Sequence, residues 1–374
     1  MCHLNILLGS NKENKENKEY TMKILIIISN PEMGGAQRVA INLTEWLNLQ
    51  LDTKAMLLSL THTSKRSYDI SKVNGMYLNE GSVIMELCKL LKQERPDIVL
   101  TMGVPLSLYT VPACLLTHTK HIISERNDPA NFAGKWITKI TSRSLMRLAQ
   151  GFVFQTHDAQ LFYKGKISSN SVIIHNPLFN IDDDTASLFE GNRKKEIVTA
   201  GRLISQKNHN LLIESFKEVA TEFPEYKLII YGEGNLLEIL KRKVNELNLT
   251  DKILFPGAQK DILNKIKESA LFVLPSNFEG MPNALMEAMS LGLPCISTDC
   301  PCGGPSEIIK NKENGILVPV NNKKELAQAI RYMLCDPGRA ELMGKKASQI
   351  RDSHNINVIC KQWLEYFRYI VYDK

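Results

Sequence analysis

The chain has 374 residues, of which 44% are hydrophobic and 23% charged, a composition typical of a globular protein of about two domains. No apolar run approaches the roughly 20 residues that a membrane-spanning helix needs, which argues against an integral membrane protein. The net charge of +6 falls entirely on the first 180 residues, which predicts an anionic partner for that half alone.

The first 21 residues differ in composition from the rest of the chain. Residues 11–19 repeat Asn-Lys-Glu, a low-complexity polar pattern with nothing to bury. Met22 stands directly before the apolar run K-I-L-I-I-I-S, which predicts a first strand. We therefore expect residues 1–21 to be a disordered or artefactual tail and Met22 to be the native start.

Short apolar segments alternate with helical patterns after this point, which predicts an α/β fold with parallel sheets. The strands predicted in the first half are residues 23–29, 55–60, 98–102, 121–124, 151–155 and 172–175. Those predicted in the second half are residues 196–200, 227–231, 253–256, 271–275, 294–297 and 315–318. An acidic stretch at 180–185 separates the two series. We expect domains at 22–179 and 180–354, with a helix in 355–374 packing back across their junction.

Two glycines follow the first predicted strand. Gly34 and Gly35 open a helical pattern over residues 36–48, and Arg38 lies in its first turn. A glycine turn at a helix start brings backbone N–H groups close to a phosphate. The string is not G-x-G-x-x-G, so it does not predict a dinucleotide site. A tight strand-to-helix turn without a ligand is the alternative.

A polar string, S-E-R-N-D, follows the apolar strand that ends at residue 124. Polar and charged residues are rarely buried in such a row, so we expect residues 124–128 to line a cleft between the domains. A solvated loop is the alternative.

A basic helix is predicted next. Four cations recur at every fourth position: Lys135, Lys139, Arg143 and Arg147. At helical pitch they wind along one side, and apolar side chains lie mostly on the other. This pattern is typical of a membrane-surface helix or of a site for a polyanionic head group. A helix packed on its own sheet is the alternative, and the absence of aromatic residues beside the cations argues against nucleic acid.

In the second half, Gly201, Arg202 and Lys207 follow a predicted strand. Two cations at a strand end suit a diphosphate leaving group, whose growing negative charge they would stabilise. A pair of ordinary surface cations is the alternative. Gly232 ends the next strand, and we expect it to let a nucleotide approach the backbone.

The most informative string covers residues 276–294 and holds two glutamates. Glu279 lies in a turn before a helix, and Glu287 lies inside that helix. The turn consists of Gly280, Met281, Pro282 and Asn283. Two carboxylates beside a helix N-terminus suit a nucleotide-sugar, because its hydroxyls bind carboxylates and its diphosphate binds backbone N–H groups. Neither the eight cysteines nor the histidines show metal-ligand spacing, so we expect free thiols and no metal.

Taken together, these strings resemble glycosyltransferase family 4, the retaining enzymes of the GT-B fold. The resemblance extends from about residue 23 to the final helix and is strongest over residues 201–207 and 278–294. It implies two Rossmann-like domains, the first binding the acceptor and the second the nucleotide-sugar. It also implies that no divalent metal or other cofactor is needed, and it favours a UDP-sugar as the donor, with a GDP-sugar as the alternative.

The resemblance assigns roles to individual residues. It implies that Glu287 binds the ribose and Glu279 the hydroxyls of the donor sugar, while Arg202 and Lys207 bind the diphosphate. We expect Arg202, Lys207 and Glu279 to act in catalysis. Many members carry a histidine where this chain has residues 125–128, so the acceptor-side residue is not assigned.

The strings G-G-A-Q-R and S-E-R-N-D-P are most similar to bacterial members that build lipid-linked surface glycans. This implies a cytoplasmic enzyme, peripheral on the inner face of the membrane, with a polyprenyl-diphosphate-linked acceptor. A glycosyltransferase with a soluble acceptor, a sugar-nucleotide epimerase of similar fold and a non-catalytic binding protein are the alternatives.

Overall fold

A computed structural model describes residues 21–32, 34–63, 67–131, 136–179 and 188–374. The predicted acidic linker at 180–185, the predicted tail apart from Thr21, and Lys135 lie outside these residues.

The described residues form thirteen strands. In the first half they are β1 (Met22–Ile28), β2 (Thr53–Ser59), β3 (Gly75–Tyr77), β4 (Ile98–Met102), β5 (Lys120–Ser124), β6 (Gly151–Phe154) and β7 (Ser171–Ile173). In the second half they are β8 (Lys194–Ala200), β9 (Lys227–Tyr231), β10 (Ile253–Gly257), β11 (Ser269–Leu274), β12 (Cys295–Asp299) and β13 (Ile316–Pro319). All the strands predicted from sequence occur, with ends shifted by at most two residues. Only β3 was missed, because three residues are too few to show a periodic pattern.

Helices connect the strands. Those of the first half are α1 (Gly35–Asn48), α2 (Val83–Glu94), α3 (Ser107–Thr117), α4 (Trp136–Met146), α5 (His157–Phe162) and α6 (Lys166–Ser169). Those of the second half are α7 (His209–Ala220), α8 (Leu237–Glu246), α9 (Ile262–Ile266), α10 (Asn283–Ser290), α11 (Gly304–Ile308), α12 (Lys323–Leu334), α13 (Pro337–Ala347), α14 (Ile350–Ser353) and α15 (Ile356–Arg368). A π-helical turn, Tyr369–Asp373, follows α15. Within the described residues, no helix is both long and apolar enough to span a bilayer.

The strands assemble into two parallel sheets. The first has the order β3-β2-β1-β4-β5-β6-β7 and the second the order β10-β9-β8-β11-β12-β13. The strands at the middle of each sheet are apolar almost throughout, and all five residues of β4 are buried, because helices cover both faces. The chain leaves the first sheet at Ile173 and enters the second at Lys194.

The order of each sheet reverses at one point. In the first sheet β1 lies beside both β2 and β4, and in the second β8 lies beside both β9 and β11. The connections on either side of such a point run in opposite directions and leave a crevice at the carboxyl ends of the strands. The loops after β1, β4, β8 and β11 are therefore where a ligand is expected.

The last helix, α15, packs against the first sheet rather than the second. Trp363 and Phe367 are fully buried in the cluster that contains Ile24 and Ile26 of β1. The side-chain ammonium of Lys120 on β5 also donates to the carbonyl of Ile370, just after α15, at 2.8 Å. The C-terminal residues thus contribute to the core of the first sheet.

Candidate active site

A cavity of about 560 Å³ lies where the two reversal points face each other. Its first-domain wall includes Ser29, Gly34, Gly35, Gly103, Glu125, Arg126 and Asn127. Its second-domain wall includes Gly201, Arg202, Gln206, Lys207 and residues 279–284. Most of the residues singled out from sequence therefore meet in one cavity, because they follow strands whose carboxyl ends are adjacent.

The cations lie on the second-domain wall. Arg202 lies two residues after the end of β8 and is exposed at the cavity. Lys207 lies in a short 3₁₀ turn, Ser205–Lys207, that Asn208 ends with a left-handed backbone (φ +44°). The Asn208 side chain also accepts from the N–H of Leu211 and so caps α7. This cap fixes the turn that carries Lys207 relative to the sheet.

Glu279 is held by three side chains. The Lys207 ammonium lies 2.5 Å from Oε1, and the hydroxyl of Ser276 donates to the same oxygen at 2.6 Å. Gln206 is at 3.5 Å from Oε2. Glu279 is only 5% exposed, so this carboxylate is oriented before any ligand binds. Sequence reasoning placed Lys207 and Glu279 in one site, but it did not predict that they form an ion pair.

Glu287 lies in the second turn of α10 and does not line the cavity. Its Oε1 accepts from Nη1 of Arg38, on α1 of the first domain, at 2.6 Å. Burial raises the pKa of Glu287, and the Arg38 guanidinium acts in the opposite direction. The two glutamates therefore engage different cations, Lys207 and Arg38, rather than sharing one position.

The glycine turn is packed against the second domain. Gly34 precedes α1, and a Cβ at Gly35 would lie 3.2 Å from the amide nitrogen of Asn283, the first residue of α10. Asn283 also accepts from the amide of Asn176 at 2.7 Å. The starts of α1 and α10 thus approach each other across the cleft, and Gly35 leaves room for that approach.

The turn before α10 depends on two more glycines. A Cβ at Gly280 would lie 2.6 Å from the side-chain amide of Gln155 and 3.1 Å from the carbonyl oxygen of Arg126, both in the first domain. A Cβ at Gly304, at the start of α11, would overlap the carbonyl oxygen of Gly280. Gly304 has no contact with the cavity, and its position behind the turn is visible only in the structure.

Gly232 lies between two loops of the second domain. It does not line the cavity described above, and its contact with a nucleotide stays a prediction. Its backbone has φ +138°, and a Cβ there would overlap the carbonyl oxygen of Gly201. Gly232 therefore allows the loop after β8 to lie against the loop after β9.

The opposite wall is formed by the end of β5. Glu125, Arg126 and Asn127 line the cavity as predicted, whereas Ser124 and Asp128 do not. The Asp128 carboxylate accepts from the N–H of Ala130 at 2.8 Å and therefore shapes the turn. The sequence signal for the string was correct for its three central residues only.

The buried carboxylate of Glu125 stabilises this wall through hydrogen bonds. Its carboxylate accepts from the N–H of Arg126 at 3.0 Å and from the hydroxyl of Tyr163 at 3.1 Å. Burial raises the pKa of Glu125 to about 7, although these hydrogen bonds and that of the Asn127 N–H lower it. Burial also lowers the pKa of Arg126 to about 9. The Arg126 guanidinium donates to the side-chain oxygen of Asn176.

Three residues of the site were missed from sequence. Gln206 donates to the carbonyl of Phe278 at 3.0 Å, Ser276 orients Glu279, and Asn176 donates to the carbonyl of Met281 at 3.2 Å. Gln206 lies inside the string that carries Arg202 and Lys207, and its position there was the available signal. Asn176 lies next to Pro177, which indicated only the end of a strand. Among the described residues there is no group of three His, Cys, Asp or Glu side chains placed to hold a metal ion.

The basic helix presents an apolar surface to solvent. On α4, Trp136 is 70% exposed, Ile137 57% and Ile140 54%. The side chains that α4 buries are Ser142 and Met146. The alternative in which the helix packs on its own sheet holds for its C-terminal end, where Leu145 and Met146 join the core that contains Phe152, and not for the exposed residues at its start. The exposed residue Arg147 and half-buried Lys139 and Arg143 accompany this surface.

The chain is similar in sequence to known glycosyltransferases. Residues 180–350 match the family model described as glycosyl transferases group 1. An uncharacterized glycosyltransferase of Haemophilus influenzae is 25% identical over 349 residues, covering 88% of this chain and 95% of the relative. The UDP-Gal:alpha-D-GlcNAc-diphosphoundecaprenol alpha-1,3-galactosyltransferase of Escherichia coli is 28% identical over 347 residues, covering 83% and 87%.

The crystal structure of Anabaena HepE in complex with UDP superposes on this chain with a TM-score of 0.79 at 16% identity, covering 92% of this chain and 99% of the other. The fold is GT-B. The GT-B fold predicted from sequence is confirmed. The residues that match the glycosyl transferases group 1 model, 180–350, lie in the second half of this chain. In a GT-B protein the cavity described above lies in the cleft between the two domains.

Proposed function

We propose that this protein is a retaining glycosyltransferase of family 4 that transfers a sugar from a nucleotide-sugar to a hydroxyl of a glycan acceptor. The observation that carries the proposal is the juxtaposition of Arg202, Lys207 and Glu279 on one wall of the cleft. Cations bind a diphosphate and a carboxylate binds sugar hydroxyls, so the three together suit a sugar joined to a diphosphate.

In this proposal the donor is a UDP-linked hexose or N-acetylhexosamine. Arg202 and Lys207 bind its diphosphate, supplemented by N–H groups of the turn before α10 and of the Gly34–Gly35 turn. Glu279, already oriented by Ser276, accepts from hydroxyls of the sugar. Glu287 accepts from the ribose hydroxyls.

The proposed reaction proceeds at one face of the sugar. The acceptor hydroxyl approaches from the side on which the diphosphate leaves, and a leaving phosphate oxygen takes the acceptor proton. Negative charge grows on that phosphate as the glycosidic bond to it breaks, and Arg202 and Lys207 stabilise this charge without a metal ion. No nucleophilic side chain is needed.

We propose a lipid-diphosphate-linked acceptor at the cytoplasmic face of the cell membrane. The E. coli relative acts, by its name, on a sugar linked to diphosphoundecaprenol. The apolar surface of α4 is followed by the exposed Arg147 and suits a bilayer with anionic head groups. We propose that the protein acts in the assembly of a polysaccharide, O-antigen, capsule or glycoprotein glycan.

A thermal-shift screen of UDP-, GDP- and other sugar nucleotides tests the donor. A ligand at 100 times its dissociation constant adds about 2.7 kcal/mol to the free energy of unfolding, which is a clear rise in Tm. A panel in which no sugar nucleotide raises the Tm contradicts the proposal. Incubation of the best donor without acceptor then separates transfer from epimerisation, because only an epimerase converts the sugar under that condition.

Flotation with vesicles tests the membrane surface. We expect the protein to float with vesicles that contain phosphatidylglycerol and to float less after Trp136→Ser and Ile140→Ser. Leu342, which is 64% exposed on α13 of the other domain, provides the control as Leu342→Ser. Failure of the wild-type protein to bind these vesicles contradicts the membrane part of the proposal and leaves the donor part to the nucleotide screen.

A further inference from the structure

An ion pair between Arg38 and Glu287 joins the two domains beside the cleft, and the reaction proposed above gives Arg38 no role. Nη1 of Arg38, on α1, lies 2.6 Å from Oε1 of Glu287, on α10, although 249 positions separate them in sequence. Their side chains are only 22% and 12% exposed. A pair this sheltered from water interacts more strongly than a surface pair and is costly to break on one side only.

Arg38 is fixed on its own side of the cleft. Its second terminal nitrogen donates to the carbonyl of Phe179 at 3.4 Å, and its guanidinium lies 4.8 Å from the centre of the Phe179 ring. Its backbone N–H donates to the carbonyl of Gly34 at 3.0 Å. The cation therefore projects from the same glycine turn that lines the cavity, and it has little freedom to leave Glu287.

Glu287 has one oxygen engaged and one available. Oε1 accepts from Arg38, while Oε2 has no hydrogen bond within the part of the chain that the structure describes. Of the described residues, Arg38 is the charged group in contact with this carboxylate. Arg351, on the neighbouring helix α14, donates instead to the carbonyl of Ser290 at 2.5 Å. The orientation of the carboxylate thus depends on a residue of the opposite domain.

We propose that Arg38 is a positioning residue that holds the Glu287 carboxylate so that its second oxygen accepts from a ribose hydroxyl of the nucleotide. The inference rests on the proposed function, because it assigns Glu287 to the nucleotide. It adds that the first domain completes the nucleotide site from across the cleft, so the affinity for UDP depends on a residue that does not touch it.

The ion pair also makes a pH dependence testable. Burial raises the pKa of Glu287, and Arg38 opposes this effect. Removal of Arg38 therefore moves the pKa further upward, so at any pH between 8 and 6 the carboxyl of the variant is neutral to a larger extent than that of the wild type. A protonated carboxyl accepts hydroxyl hydrogen bonds less well, so UDP affinity in Arg38→Ala should fall over this range more steeply than in the wild type.

Isothermal titration calorimetry with UDP at pH 8 and pH 6 tests the inference. We expect Arg38→Ala to weaken binding on the order of 30-fold at pH 8, the lower end for truncating one partner of a buried charge pair, and further at pH 6. Arg38→Lys should recover most of the affinity. Lys92→Ala, an exposed change on α2 of the same domain, should have no effect.

A double-mutant cycle with Glu287→Gln separates positioning from a general effect on folding. If Arg38 acts through the carboxylate, Arg38→Ala causes no further loss of UDP affinity in the Glu287→Gln background. Two outcomes overturn the role of Arg38 and leave the proposed function standing. One is an equal loss of UDP affinity from Arg38→Ala in both backgrounds. The other is an unchanged UDP affinity in Arg38→Ala when the wild type binds UDP. A wild type that binds no nucleotide overturns the proposed function and this inference together.

Discussion

Replacing Lys207 by Ala tests the proposed chemistry most directly. Lys207 is 2.5 Å from Glu279, with side chains 15% and 7% exposed, so its charge acts in a largely water-excluded part of the cleft. Loss of one electrostatic contact to a leaving group in such a site lowers turnover about 100-fold, which corresponds to about 2.7 kcal/mol in the activation free energy. We expect Lys207→Ala to show this loss in kcat.

The same change affects stability, and the two effects can be separated. Without Lys207, the buried Glu279 carboxylate retains Ser276 and Gln206 as donors, and the free energy of unfolding should fall by about 3 kcal/mol, the lower end for breaking a buried pair. Adding Glu279→Gln removes the uncompensated charge. The double variant should therefore regain part of the Tm while its turnover stays low.

Turnover is measured as UDP released from the donor that best stabilises the wild type, in the presence of acceptor. Tm is measured on the same preparations. Lys217→Ala serves as the control, because Lys217 is exposed on α7 in the same domain. Near wild-type turnover in Lys207→Ala would refute the assignment of Lys207 to the leaving group.

Three further predictions concern UDP binding and stability. Gly304→Ala should displace the carbonyl of Gly280 at a cost of about 1–3 kcal/mol of strain, and calorimetry should show weaker UDP binding. Gly338→Ala is the control: its Cβ would meet nothing closer than 3.5 Å, so this variant should bind UDP as the wild type does. Trp363→Ala should lower the free energy of unfolding, measured in urea, by about 3–5 kcal/mol, because Trp363 is fully buried. Val358→Ala on the same helix should lower it far less, because Val358 is 43% exposed. Similar losses of stability in both variants would contradict the packing of this helix.

The third prediction concerns how the free energy of unfolding depends on pH. Burial lowers the pKa values of three histidines from 6.5 to about 3 or 4 (His121, His209 and His354). Their contribution is present above pH 6.5 and is lost as the pH falls toward 4, because the unfolded chain takes up protons that the folded chain does not. Glu125 acts in the opposite direction, since its pKa is raised to about 7. Between pH 7.5 and 5.5 these four groups together should lower the free energy of unfolding by about 2 kcal/mol by urea titration, and a gain over this range would contradict it.

Much of the fold followed from local pattern. A buried parallel strand is a short apolar run, and β4 and β9 begin and end where the pattern predicted. The site followed from position along the chain, because Arg202, Lys207 and Glu279 come directly after strands whose carboxyl ends are adjacent. The strand β3 was missed because its three residues carry no periodicity.

The sequence by itself determined which segments form strands and helices and which polar residues lie at the strand ends. Those properties depend on the side chains of each segment and on whether both of its faces are covered. Only the tertiary structure decided that Arg38 pairs with Glu287, that Gly232 and Gly304 support neighbouring loops, and that α4 exposes its apolar side. These features depend on how distant segments are placed relative to one another, and no local periodicity encodes that placement.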